Sequence, residues 1–187
     1  MSKKIAVIVG SLRRESLNLK MAKVLMSLAP ESLKPEIISI GDLPLYNQDL
    51  DEGDNIPAAW SKFREQMKSC QGILFVTPEY NRSVPGALKN AIDVGSRPYG
   101  HSIWGGKPAA VVSVSPGAIG GFGANHHLRQ SFVFLDVPVL QQPEAYIGFA
   151  GNLFNDKGEL TNEDTRLFLS KLMTTFANWV ETIVRAE

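Results

Sequence analysis

Disulfide chemistry is excluded first: the 187-residue chain has a single cysteine, Cys70. A lone thiol cannot close an internal bridge, which rules out a stapled secreted scaffold and suits a reducing compartment, so a cytoplasmic location is expected. An excess of one charge is missing too, since 19 Lys plus Arg balance 19 Asp plus Glu. With no net field to gather nucleic acid or an anionic membrane, neither is expected as a partner. No apolar run approaches the ~18 residues of a membrane span. Lys3-Lys4 ahead of residues 5–9 resembles the start of a signal sequence. The apolar stretch is too short for a signal core, however, and reads as a strand running into a polar loop. Repeats, low-complexity tracts and Pro/Ser-rich linkers are absent as well. Residues 1–187 are therefore read as one domain, and a chain of this length buries roughly 70% of its unfolded surface without needing a metal.

What is present is a rhythm. Short, β-branched apolar runs occur at 5–9, 37–40, 73–77 and 109–114, with a weaker one at 137–140. Between them lie segments with helical spacing, such as Leu17, Met21, Val24, Leu25 and Leu28, then Trp60, Phe63 and Met67. Residues 162–185 place Leu169, Leu172, Met173, Phe176, Val180, Ile183 and Val184 on one stripe, a closing amphipathic helix. Strands alternating with helices predict crossover units and a parallel sheet, and near-continuous apolar strands predict helices on both faces. Ligands of such sheets bind beyond the carboxyl ends of the strands, which directs attention to three loops.

After the first run the chain reads Gly10-Ser11-Leu12-Arg13-Arg14-Glu15-Ser16-Leu17-Asn18 and turns helical. Helix-terminal N–H groups, hydroxyls and a cation are what a phosphate monoester needs. The dinucleotide glycines and the Gly-Lys-Ser/Thr end of a P-loop are both missing, which favours a terminal phosphate over a pyrophosphate. The plain structural alternative makes Ser16 a helix cap and leaves Arg13 and Arg14 as solvated charges. After the third run comes Thr77-Pro78-Glu79-Tyr80-Asn81-Arg82-Ser83-Val84-Pro85-Gly86. Two prolines hold the intervening amides ready for the edge of a flat heteroaromatic ring, or else Ser83 and Pro85 simply start a helix. After the fourth run, the stretch from Ser115 through Gly117, Gly120, Gly121 and Gly123 allows close approach of a ligand, or is merely a flexible loop. His126 and His127 are adjacent and lack the spacing of a metal pair, so they read as surface or subunit-interface residues. Cys70 reads as structural.

Taken together, Gly-Ser-Leu-Arg-x-x-Ser-x-Asn at 10–18, Thr-Pro-Glu-Tyr-Asn-x-Ser-x-Pro-Gly-x-Leu-Lys-Asn-Ala-Ile-Asp at 77–93, Gly-Lys-Pro at 106–108 and Pro143-Glu144 resemble the NADPH-dependent FMN reductase family. The nearest likeness is to its bacterial quinone and chromate reductase branch. The resemblance implies a flavodoxin-like, doubly wound, five-stranded parallel sheet with helices on both faces, holding FMN. It implies a phosphate site at Ser11, Arg13, Ser16, Leu17 and Asn18, with Leu12, Arg14 and Glu15 in the same loop. It places Pro78, Glu79, Tyr80, Asn81 and Arg82 along the ring edge, and Ser115 and Gly117 near the ring. The chemistry implied is hydride delivery from NADPH or NADH to the flavin and two-electron reduction of a quinone, with chromate or azo compounds as related acceptors. No catalytic side chain is required, because the cofactor carries the reaction. A homodimer or homotetramer is expected, with Phe168 and Trp179 on the flank of the last helix as a weak hint of an interface or a broader core contact. Two alternatives stand beside this reading: release of reduced FMN to a partner enzyme, and a non-catalytic flavodoxin-type electron carrier. Where the family often carries Trp after Ile-Asp, this chain has Val94, and Trp104 is the candidate to fill the space.

Overall fold

The computed structural model describes residues 2–51 and 55–184. The elements run β1 (Lys3–Val9), α1 (Leu17–Ser27), β2 (Leu33–Ile37), α2 (Ala58–Lys68), β3 (Gly72–Thr77), α3 (Gly86–Gly95), β4 (Ala109–Val114), α4 (Phe122–Phe134), β5 (Ala145–Ile147) and α5 (Glu163–Val184). The five strands are parallel in the order β2-β1-β3-β4-β5, which is the flavodoxin-like doubly wound arrangement. Strand order reverses between β1 and β3, so a crevice opens beyond Val9 and Thr77.

Alternation along the strands feeds two cores. Ile5, Val7 and Val9 of β1 face α1 and α5, where they meet Met21, Leu25, Leu172 and Phe176. Ala6 and Ile8 face the opposite layer with Trp60, Phe63, Leu88, Leu128 and Phe132 of α2, α3 and α4. Every residue of β3 and β4 is buried. A strand covered on both sides has no polar face to show, hence its unbroken apolar sequence.

Two strands depart from the sequence reading. β2 ends at Ile37 instead of spanning 37–40. Ile38 and Ile40 are buried beyond the ladder, so their apolarity marks packing against α2. Pro35 is tolerated in the strand because β2 is an edge, where a missing N–H leaves no neighbour unpaired. The last strand is β5 at Ala145–Ile147, not 137–140. Val139 makes only an isolated bridge to Ala109, with Leu140 N–H donating to Ala109 O at 2.8 Å. Pro138 and Pro143 supply no donors to extend that pairing. α5 matches the predicted stripe, and Arg185 lies outside the described residues. Among the described residues no helix is long and apolar enough to cross a membrane.

Trp104 fills the interior beside Val94. It is fully buried, donates from Nε1 to Ile92 O at 2.9 Å, and packs against Phe63 and Phe75. A methyl group on Gly95 would come within 2.5 Å of its ring, so the glycine there makes room for the indole. Trp179 is tied to the core side by a hydrogen bond from Nε1 to Pro138 O at 2.8 Å, and Phe168 also packs partly buried against that cluster. Both broaden the core contact of α5.

Candidate functional site

A cleft of about 250 Å³ opens beyond the carboxyl ends of β1, β3 and β4. Ser11, Arg13, Ser16, Leu17 and Asn18 form one wall, Pro78, Glu79 and Tyr80 a second, and Val114, Ser115 and Pro116 a third. Three loops far apart in sequence are thus brought to one place by the strand order. Val114 and Pro116 were not singled out in the sequence, since neither carries a chemical group that announces a site. Leu12, Arg14, Glu15, Asn81, Arg82 and Gly117 do not line this cleft. Leu12 borders an adjoining hollow of about 310 Å³ that shares Arg13 and Tyr80. Glu15 points to Lys20, 3.6 Å away.

The first wall is the start of α1. Ser16 is its cap, with Oγ accepting from Leu19 N–H at 3.1 Å, and it is almost fully buried. The capping and binding roles are compatible, because the hydroxyl that accepts this bond retains its own proton to donate. No acidic residue occupies the first turn of α1, so the positive end of the helix dipole and its unpaired amides are left to an external anion. Asn18 is buried, and its Nδ2 donates a long 3.4 Å bond to Val114 O. Its Oδ1 is buried without any partner among the described residues. An orphaned buried acceptor is costly unless a ligand satisfies it. Asn18 lines the cleft at a helix end suited to an anion, and its orphaned oxygen fits a polar phosphate ester that also carries hydroxyl donors.

The second wall is a tight hairpin. Tyr80 and Ser83 exchange backbone hydrogen bonds of 3.0 Å in both directions, and Asn81 and Arg82 both have positive φ, 51° and 63°. This leaves the amides of Asn81 and Arg82 outside the hairpin's own bonding. Rigidity therefore comes from a left-handed turn as well as from the flanking prolines. Ser83 does not cap α3. Pro85 occupies that position, and Ser83 Oγ lies 2.9 Å from His127 Nδ1.

The third wall uses its glycines differently from the sequence reading. A methyl group on Gly120 would reach within 2.6 Å of the Tyr146 backbone, and one on Gly121 within 3.0 Å of Ser113 Cβ. These residues are glycines so that loops can pack on one another, not so that the segment can move. Gly117 alone of this set faces mostly open space, its N–H donating to Ser115 Oγ at 3.1 Å.

Beside this wall lies a cluster that sequence inspection did not assemble. His126 Nε2 is 2.9 Å from the Tyr146 hydroxyl, and Phe122 packs on both rings. Burial, then the hydrogen bond to Glu144 and that carboxylate's charge, push the Tyr146 phenol up to about 12. Burial also lowers the Arg129 guanidinium and raises the Cys70 thiol. Cys70 is buried with Sγ 3.3 Å from Gln66 O, as befits a structural residue. Among the described residues no group of acidic, His and Cys side chains could hold a metal.

Known proteins with this pattern are consistent with one another. The family model described as NADPH-dependent FMN reductase matches residues 3–152. A quinone reductase of Pseudomonas putida is 63% identical over 177 residues, covering 95% of this chain and 94% of its own. A 2-hydroxy-1,4-benzoquinone reductase of Burkholderia is 47% identical over 180 residues, covering 96% and 97%. Among solved structures, FerB, a flavoenzyme NAD(P)H:(acceptor) oxidoreductase from Paracoccus denitrificans, superposes with a TM-score of 0.90 at 42% identity, over 96% of this chain and 98% of its own.

Proposed function

The chain belongs to the NADPH-dependent FMN reductase family, and from that premise we propose that it is an FMN-dependent NAD(P)H oxidoreductase that reduces quinones. The observation that carries the cofactor assignment is the unpartnered Oδ1 of Asn18 in a cleft built on the N-terminus of α1. The acceptor class rests on the two quinone-reducing relatives. Bound FMN supplies the redox chemistry, taking an electron pair from NADPH or NADH and passing it to the quinone.

The protein's part is binding and orientation. Ser11, Ser16 and the first amides of α1 donate to the phosphate, and Arg13 adds a charge-assisted bond. Leu17 would close the cradle, and the unpartnered Asn18 Oδ1 would accept a hydrogen bond from a ribityl hydroxyl. Leu12, Arg14 and Glu15 shape the loop around it. Pro78, Glu79, Tyr80, Asn81 and Arg82 would hold the edge of the flavin ring, and Ser115 with Gly117 would lie beside it. One domain, residues 1–187, carries the whole site. The acceptor is a small quinone or a related compound, and neither nucleic acid nor a membrane takes part.

Leu12, Tyr80, Ile119, Phe122 and Phe149 are large apolar residues left exposed around the carboxyl-end loops. A rim of that kind supports a homodimer or homotetramer that covers the mouth of the cleft. The free, buried Cys70 supports a cytoplasmic location.

The test is the visible spectrum of freshly purified protein, followed by anaerobic addition of NADH or NADPH and then a benzoquinone. Flavin absorbance is expected at one FMN per chain, bleached by the nicotinamide and restored by the quinone. Protein that binds FMN but is bleached by neither nicotinamide would be an electron carrier. Flavin lost to the filtrate on each reduction would mark a supplier of reduced FMN.

A further inference from the structure

Three contacts join the turn after β3 to the start of α4. Ala124 N–H donates to Glu79 Oε2 at 3.1 Å. Ser83 Oγ lies 2.9 Å from His127 Nδ1. A methyl group on Gly123 would come within 2.7 Å of Arg82 O and 2.9 Å of Glu79 Oε2, so no side chain fits there while the turn is seated.

α4 needs this help. The residue before it is Gly121, at φ 77°, with no side-chain cap and no acid in the first turn. Glu79 provides the missing acceptor and negative charge from another element. Glycine is a poor helix former beside alanine, so Gly123 weakens the helix it belongs to and serves the contact with the turn. The turn in its hand is held in a conformation that arginine seldom adopts, with Arg82 at φ 63°. Arg82 reaches back to the outer side of the same carboxylate at 3.6 Å, and the Glu79 side chain is only 11% exposed.

We propose that Glu79, seated against Gly123 at the start of α4, is a positioning residue that holds the 80–83 turn in its left-handed form. The role assigned to its carboxylate runs through the backbone: its bond to Ala124 N–H keeps the Asn81 and Arg82 amides in place for the flavin edge. The proposal rests on the FMN reading above and deepens it.

Amide hydrogen exchange at Tyr80 and Ser83, measured with and without FMN, tests it together with the FMN dissociation constant and flavin absorption band. Glu79→Ala and Gly123→Ala should exchange these amides about tenfold faster, bind FMN several-fold more weakly and shift the absorption band. Glu79→Gln, which keeps a carbonyl oxygen for Ala124 N–H, should recover most of the wild-type behaviour. Gly123→Ala is the sharpest arm, because alanine favours the helix. A higher melting temperature with unchanged turn exchange and an unchanged spectrum would mean that Gly123 and Glu79 serve the helix alone, and would overturn the proposal. If Gly123→Ala does not fold, the Glu79→Ala and Glu79→Gln pair decides, and exchange and spectra identical to wild type overturn it equally. Wild-type protein that leaves FMN free in solution overturns the cofactor reading, and with it the purpose assigned to Glu79. Wild-type binding with unmoved variants overturns the positioning role alone.

Discussion

Arg13 and Arg14 are neighbours with the same chemistry and different positions. Arg13 borders both hollows at the carboxyl end of the sheet, and Arg14 borders neither. A hydrogen bond to a charged group is worth roughly 1.5 to 3 kcal/mol, so Arg13→Ala should weaken FMN binding by about tenfold to a hundredfold. Arg14→Ala should leave it near wild type, as fluorescence titration of the apoprotein with FMN would reveal. Tyr146 gives a second residue-level expectation. Its phenol is pushed up to about 12 in the folded chain, against about 10 when unfolded. The folded state therefore holds a proton that the unfolded state releases. The stability linked to it is complete below about pH 10 and is lost as the pH climbs toward 12. Denaturant midpoints across that range should fall for the wild type more steeply than for Tyr146→Phe, and a parallel decline would remove the linkage.

At the scale of elements, buried polar ties join neighbouring segments of one helical layer. Arg64 of α2 binds both oxygens of Asp51 at 2.7 Å and donates from Nε to Val94 O at 3.0 Å on α3. The side chains are 9% and 3% exposed, so neither charge can turn to water if its partner is removed. Asp51→Ala should cost about 3–5 kcal/mol, the penalty of stranding a buried charge. Asp51→Leu combined with Arg64→Met should recover much of that loss in the same denaturant titration. A single-variant loss below about 1 kcal/mol, typical of surface pairs, would show that water reaches the guanidinium.

At the scale of the whole molecule, the cleft offers one helix start suited to a phosphate, and the sequence has no second loop of that type. If nicotinamide and quinone use the same face of the ring in turn, the kinetics should be ping-pong. Parallel double-reciprocal lines are expected with a benzoquinone, with excess quinone competing against the nicotinamide. Intersecting lines would require both substrates to bind together and a separate acceptor pocket. Leu12, Tyr80 and Phe149 are exposed apolar residues at this end of the sheet, so a dimer formed there, as proposed above, would be expected to narrow the entrance to the cleft.

Composition and periodicity alone determined the class of the chain and three of its strands. A strand covered on both sides must be apolar throughout, and that signal is local. The helix start beside the cleft was legible for the same reason: Ser16 caps α1 and Leu17 and Asn18 begin it, and a helix end is made by consecutive residues. Edges were not legible. β2 and β5 have a neighbour on one side only, so their bounds follow from which prolines and apolar residues the adjoining strand accepts, as Pro35, Ile38 and Pro138 illustrate. Nor could the sequence assign the glycines at 120, 121 and 123, because a glycine needed for a flexible loop and one needed for close packing are written identically. Only the tertiary structure, by bringing Tyr146, Ser113 and Arg82 against them, decided that these glycines lock the loops together.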